Sequence, residues 1–255
     1  MKNKIINILK SDYQITDDLK NRVNQLLECA QDDNVFYNLD QVMVWFDNRL
    51  KQLQADVIQV DLKDCDGWSH DKDTGNLKHD SGGYFEVIGV KTNTSIRESG
   101  KGWTQPMVDQ GTEASIVGLI KKRFNDIPHY LIDAKFEPGN YGKIQFSPTL
   151  QCTYDNLNQY HKGNKPLYYE YFENAEKHNI LFEHWYPEDG GRFYLKRVKN
   201  MIVETYGEQI GCMDGGDKDI KKSDSHVWLT MYQIKQLLKK DNLVNAHLRS
   251  IISYL

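Results

Sequence analysis

The sequence lacks most of the features that announce a function. Its four cysteines (Cys29, Cys65, Cys152, Cys212) are scattered with no CxxC pair, so neither a zinc-site spacing nor a disulfide framework is encoded. No apolar run approaches a membrane span, and the mean hydropathy is −0.67, which excludes a spanning helix. The opening MKNKIINILKSDYQ is basic, but its apolar stretch is too short and interrupted for a secretory signal, which points to the cytoplasm. An excess of one charge is missing too. Lys and Arg number 32 against 36 Asp and Glu, a formal charge of −4, so there is no global attraction for nucleic acid. GxGxxG after a strand, GxxxxGK[ST], HExxH, GxSxG and the kinase signatures are all absent. No metal and no cofactor are expected.

What is present is an ordinary globular composition in 255 residues, with 5 Trp and 15 Tyr that suit cores, bases and sugars alike. Helical spacing follows Thr16 (Leu19, Val23, Leu26, Leu27, Ala30) and Asn38 (Leu39, Met43, Phe46, Leu50, Leu53). The period then changes to two. Strands are predicted over 57–62, 84–90, 114–120, 129–137 and 142–153, with a further pair, 180–186 and 192–206, around a tight turn at Gly190-Gly191. Residues 166–178 read as helix, and Thr230 caps a helical C-terminus. Residues 64–83 and 207–225 read as long loops. Helices, then mostly antiparallel strands, then helices argue for an α+β fold. Residues 1–56 form its helical flank and 57–255 its main unit.

Two polar patterns stand out. Lys135 and Glu137 share a strand face, EPGN (137–140) makes a turn, and Gln145, Ser147, Thr149 and Gln151 then alternate on one side. Such a face lines a wet pocket for a polyhydroxylated ligand, or it is the solvent side of an antiparallel sheet. Arg192, Lys196, Arg197 and Lys199 place four cations in eight positions, fit for a diphosphate or for a protected edge strand. Glu170, Glu173 and Glu176 read as an exposed acidic helix face.

These segments resemble the NDP-hexose 2,3-dehydratases. The matching stretches are HDSGGYFEVIG (79–89), WTQPMVDQG (103–111), AKFEPGN (134–140), QFSPTLQCT (145–153), HKG (161–163), YYEYF (168–172), RFYLKRVKNMIVE (192–204), WLT (228–230) and DNLVN (241–245). The resemblance implies a Nudix-related mixed sheet with flanking helices, without the Nudix box and its hydrolysis. It also implies a nucleotide-sugar substrate, and elimination of water across C2 and C3 of a dTDP-linked 4-keto-6-deoxyhexose to a 3,4-diketo-2,6-dideoxy sugar. Family members carry two related units in a chain about twice as long, so a homodimer is expected to replace the second unit. The alternative is a noncatalytic nucleotide-sugar-binding subunit that needs a partner chain.

The elimination needs a base at C3, a donor at the C4 oxyanion and an acid at the C2 oxygen. His161 is a candidate base or acid, Glu137 a base, Lys135 an oxyanion donor or phosphate ligand, and His79 a further acid. Gln145, Ser147, Thr149 and Gln151 would hold sugar hydroxyls, Trp103 and Tyr169 the base, and Arg192 and Arg197 the diphosphate. Gln105, Asn140 and Asn200, in the same matched stretches, complete the candidate binding set.

Overall fold

Side-chain caps start the helices where the sequence places them. In the computed structural model, which describes residue 7 and residues 16–93, 102–158, 165–206 and 225–255, Thr16 accepts from the Leu19 amide to cap α1 (Asp17–Glu28). Asn38 forms a capping box with Gln41 at α2 (Leu39–Gln52). Val42, Trp45 and Phe46 of α2 are buried at helical spacing in the main core.

Four strands form an antiparallel sheet in chain order: β1 (Trp68–His70), β2 (Leu77–His79), β3 (Glu86–Thr92) and β4 (Trp103–Asp109). The larger sheet holds β5 (Glu113–Phe124), β6 (Ile127–Phe136), β7 (Ile144–Ser147), β8 (Leu150–Thr153), β9 (Asn179–Pro187), β10 (Arg197–Thr205) and β11 (His226–Thr230). Its path is β11-β6-β5-β10-β9, with β10 parallel to β5 and the other neighbours antiparallel. The fold is therefore α+β, a mixed sheet with flanking helices.

The β5–β6 hairpin turns through Asn125 and Asp126, both at positive φ, as a two-residue turn requires. The two strands pair directly only from Ile120↔Leu131 to Phe124↔Ile127. Beyond that point they diverge. β8 takes the place beside β5 and β7 the place beside β6, so the sheet is split, with Pro148-Thr149 at the apex. Thr149 closes the apex: its hydroxyl accepts from the Ile120 amide at 2.9 Å and donates to the Leu131 carbonyl at 2.5 Å. Two buried backbone groups that lost their ladder partners are thereby satisfied.

The far edge of β7 is covered by residues 243–245, with Phe146 N bonded to Leu243 O and Asn245 N to Phe146 O. These residues lead into α6 (Ala246–Ile251), capped by Asn245, which packs over β5, β7 and β10. One sheet face is buried under α2, α5 (Met231–Leu237) and α6, with Leu119, Ile132, Phe146 and Ile202 at its centre. The other is covered by α3 (Tyr154–Leu157) and the segment around α4 (Glu170–Glu173). There a side chain at Gly118 would run into the Phe172 ring.

Several local expectations are corrected. Residues 57–62 are not a strand: they have no ladder partner among the described residues and end in a 3-10 turn over Leu62–Asp64. The expected loop at 64–83 contains the β1–β2 hairpin. The tight turn at Gly190-Gly191 is a nine-residue connection, 188–196, because β10 begins only at Arg197. Residues 142–153 are two strands split at Pro148, which offers no N–H to a ladder. Helix at 166–178 shrinks to α4 and a 3-10 turn over Ala175–Lys177. Strands β4 and β11 were not anticipated.

Candidate functional site

The split in the sheet gathers the polar residues. Lys135 Nζ reaches across it to the Gln151 carbonyl at 2.8 Å, and the Gln151 side-chain amide donates to Glu137 Oε1 at 2.9 Å. Asn245 Nδ2 bridges the gap from above, donating to Ser147 Oγ and to Gln151 Oε1, each at 2.7 Å. Lys135 and Glu137 lie on and just after β6, Ser147 on β7 and Gln151 on β8. The N-cap of α6 therefore joins the two halves.

Strand register extends this cluster across the sheet. Gln151 lies opposite Val117, Val117 opposite Asn200, and Asn200 opposite His184. The next row is Thr153, Ser115, Val198 and Tyr186. Paired residues present their side chains on one face, here the face covered by α6. Asn200 is buried, its amide donating to the Val198 carbonyl at 3.1 Å. Ser115 Oγ is buried with no hydrogen-bond partner among the described residues, a cost that a bound hydroxyl or water would relieve.

His247, on the first turn of α6, completes the group. Burial holds its pKa below the ordinary histidine value. The Glu188 and Glu137 carboxylates oppose that shift, and the Lys196 and Lys135 ammonium groups add to it. Two acids and two cations thus act on this imidazole. Lys196 is itself buried, which lowers its pKa. Glu188, 3.9 Å away, opposes the shift. The cluster has an imidazole with a lowered pKa, carboxylates and one desolvated ammonium group beside a floor of amides and hydroxyls. Such a set can move a proton and steady a developing oxyanion.

The residues singled out from sequence divide accordingly. Lys135, Glu137, Ser147, Gln151 and Asn200 come together here. Thr149 is 3% exposed and occupied at the apex of the split. Gln145 donates to the Asn242 carbonyl at 2.9 Å, and Asn140 holds the 137–143 turn through its amide bonded to Glu137 O. Trp103 donates to Gln105, and Gln105 to the Gly191 carbonyl, tying β4 to the 188–196 connection. His79 bonds Ser81 at 2.7 Å and packs on Trp68 and Tyr84 in the smaller sheet. Arg192 pairs with Asp189 at 2.7 Å and Arg197 with Glu113 at 2.6 Å. Tyr169 is half-buried against the opposite sheet face, with Lys165 over its ring. His161 lies outside the described residues. Sequence reasoning missed His247, Asn245, Lys196 as a buried group, and Glu188. The stretch DNLVN (241–245) ends two residues short of His247, and no spacing motif points to it.

Among the described residues no group of three or more His, Cys, Asp or Glu could hold a metal ion. The described helices include none long and apolar enough to cross a membrane.

Comparison with known proteins matches the chain to the family described as NDP-hexose 2,3-dehydratase over residues 39–255. A dTDP-4-dehydro-6-deoxy-alpha-D-glucopyranose 2,3-dehydratase of Saccharopolyspora spinosa is 32% identical over 209 residues, 82% of this chain and 40% of its own. The enzyme of the same name from Amycolatopsis orientalis is 32% identical over 233 residues, 90% of this chain and 47% of its own. That from Streptomyces violaceoruber is 31% identical over 210 residues, covering 82% and 44%. The chain thus spans rather less than half the length of these relatives. A crystal structure of an ADP compounds hydrolase overlays with a TM-score of 0.39 at 12% identity, over 67% of this chain and 83% of that one. That likeness is too loose to define the fold, which stands on the strand order. By the extent of the family match and by its relatives, the chain belongs to the NDP-hexose 2,3-dehydratase family.

Proposed function

We propose that the chain removes water across C2 and C3 of a dTDP-linked 4-keto-6-deoxyhexose. The reading is carried by the joining of Lys135, Glu137, Gln151 and Asn245 at the split of the sheet, with His247 two residues beyond Asn245 on α6. The C4 ketone acidifies the C3 proton, and the neutral His247 imidazole takes it. Lys135 and Lys196 steady the charge that develops on the C4 oxygen. The C2 hydroxyl then leaves as water with the proton that the His247 imidazolium now holds, the Glu137 carboxylate steadying that cation. The resulting enol ketonises, gaining a proton at C2, to the 3,4-diketo-2,6-dideoxy sugar. Net change is loss of one water with no redox step. Asn200, Ser115 and Gln151 face the sugar hydroxyls.

The same proposal takes residues 57–255 as one Nudix-related unit with a helical flank. It takes the cytoplasm as the place of action and two copies as the working assembly. A second reading draws on the chain spanning 40–47% of its relatives: a nucleotide-sugar-binding subunit active only with a partner chain. Incubation with dTDP-4-keto-6-deoxyglucose, with a reductase to trap the labile diketone, separates the two. Water loss by the chain alone supports the dehydratase. Binding without water loss supports the subunit, and neither binding nor loss refutes both.

A further inference from the structure

The strand register that lines up the site continues one row further. β9 and β10 pair as far as Pro187↔Arg197, and the next rung is closed by the Glu188 amide, which donates to the Lys196 carbonyl at 3.0 Å. Glu188 follows His184 and Tyr186 at alternate positions, as Lys196 precedes Val198 and Asn200, so the pair belongs to the sheet face beneath α6. The Lys196 side chain is 8% exposed and that of Glu188 20%. Lys196 Nζ lies 3.9 Å from Glu188 Oε2 and 4.5 Å from the centre of the Phe193 ring. Neither contact is a hydrogen bond, and among the described residues this ammonium donates none. A carboxylate at that distance favours the charge, as does the ring face. The N–H donors stay unspent.

Two other cations of this stretch are committed elsewhere, Arg192 to Asp189 and Arg197 to Glu113. The charged groups that act together with Glu188 and Lys196 come from the neighbouring elements. They are Lys135 and Glu137, at and just after the end of β6, and all four act on the His247 imidazole of α6. We infer that Glu188 is a positioning residue of the elimination, keeping Lys196 a cation while leaving its N–H donors free for the C4 oxygen of the sugar. This inference rests on the dehydratase reading, in which Lys196 steadies that oxygen. A close ion pair would spend the donors, and a buried lysine without a carboxylate would shed its proton. The spacing between Glu188 and Lys196 avoids both.

Glu188 opposes the lowering of both the Lys196 and the His247 pKa, so without its charge both groups lose their protons more easily. The reaction needs His247 neutral and Lys196 charged. Glu188→Gln should therefore move both limbs of the kcat profile to lower pH, the alkaline limb by about one unit or more. The variant becomes faster than wild type at the acid end and slower at the alkaline end, a crossing that a loosened fold does not produce. Glu188→Asp keeps the charge and should restore most of the alkaline limb. Glu173→Gln removes a carboxylate on α4, over the opposite sheet face, and should leave both limbs in place.

The test pairs these profiles, from trapped-product assays, with NMR titration of the full chain carrying 13C at lysine Cε, the Lys196 signal being assigned through Lys196→Arg. Its midpoint should fall by about one unit or more in Glu188→Gln and return towards the wild-type value in Glu188→Asp. A midpoint unmoved in Glu188→Gln overturns the inference, whether or not the chain removes water. A shifted midpoint with both kinetic limbs unmoved overturns the use of the pair in the reaction. A wild type that binds or turns over no substrate overturns the dehydratase reading itself, and the positioning role falls with it.

Discussion

Asn245 and Gln151 meet at the split in the large sheet, Nδ2 to Oε1 at 2.7 Å, and the same Nδ2 reaches Ser147, so one side chain both caps α6 and links β7 to β8. Asn245 Oδ1 meanwhile accepts from the Leu248 amide at 2.8 Å. The two ends of this amide have separable uses. Asn245→Asp keeps a capping oxygen and turns the bridging donor into an acceptor facing Gln151 Oε1. We expect unfolding free energy to change by about 1 kcal/mol while kcat falls at least tenfold, read from urea melts and trapped-product assays on one preparation. Equal activity in this variant would remove the bridge from the account.

His247 sets the acid limb of the pH profile. A base acts in its neutral form, and burial holds this group below its usual value of about 6.5. The rate should therefore stay level from neutrality past pH 6.5 and fall only below that. The sign for stability is the same: a group whose folded pKa is depressed stabilises the fold above its unfolded pKa and loses that contribution as pH falls. His247→Asn should lower kcat about 100-fold or more. An acid limb centred above 6.5 would point to a different base.

Thr149 is predicted to be a stability residue. Thr149→Val preserves shape and strands the Ile120 amide and the Leu131 carbonyl in the interior. The expected loss is about 2–6 kcal/mol, taking about 1–3 for each of the two unsatisfied groups, measured as the shift in the urea midpoint. Thr149→Ser should recover most of it. A Val variant as stable as wild type would mean that the split relaxes to re-form a backbone bond.

Glu204 anchors the opposite end of β10. It is buried with Lys121 at 3.3 Å, Arg123 at 3.4 Å and the Tyr206 hydroxyl at 3.1 Å. Burial pushes its pKa up, but Lys121, Tyr206 and Arg123 outweigh that and hold it below the ordinary value. Its stabilisation is present above the unfolded pKa and lost as pH falls through the folded one. Glu204→Gln should cost about 3 kcal/mol near neutrality, since it leaves Lys121 desolvated. The cost should shrink in acid, and a loss independent of pH would argue against the ion pairs.

How far these features are legible in the sequence depends on how local their causes are. Thr16, Asn38 and Thr230 announce their helices because each cap bonds an amide three residues on. The apolar runs of β5 and β6 are equally plain because each strand is buried against layers on both sides. The alternation of Gln145, Ser147, Thr149 and Gln151 hides the split. It continues through Pro148 although the first pair belongs beside β6 and the last beside β5. The partners that occupy Thr149 lie 18 and 29 positions away. His247 looks like any polar residue of a short helix. Its importance comes from Glu137 and Lys196, which only tertiary packing brings near. VIQVDL has the right period for a strand, but a period says nothing about whether a partner exists.

The central claim is tested most directly by following water loss from dTDP-4-keto-6-deoxyglucose in D2O, with wild type, His247→Asn and Glu137→Gln side by side and the diketone trapped as it forms. The account predicts a product lighter by one water and carrying solvent deuterium at C2 from the wild type. Both variants should be slowed by about 100-fold or more at unchanged melting temperature. Wild-type rates in both variants would contradict the placement of the chemistry at the α6 end of the split sheet.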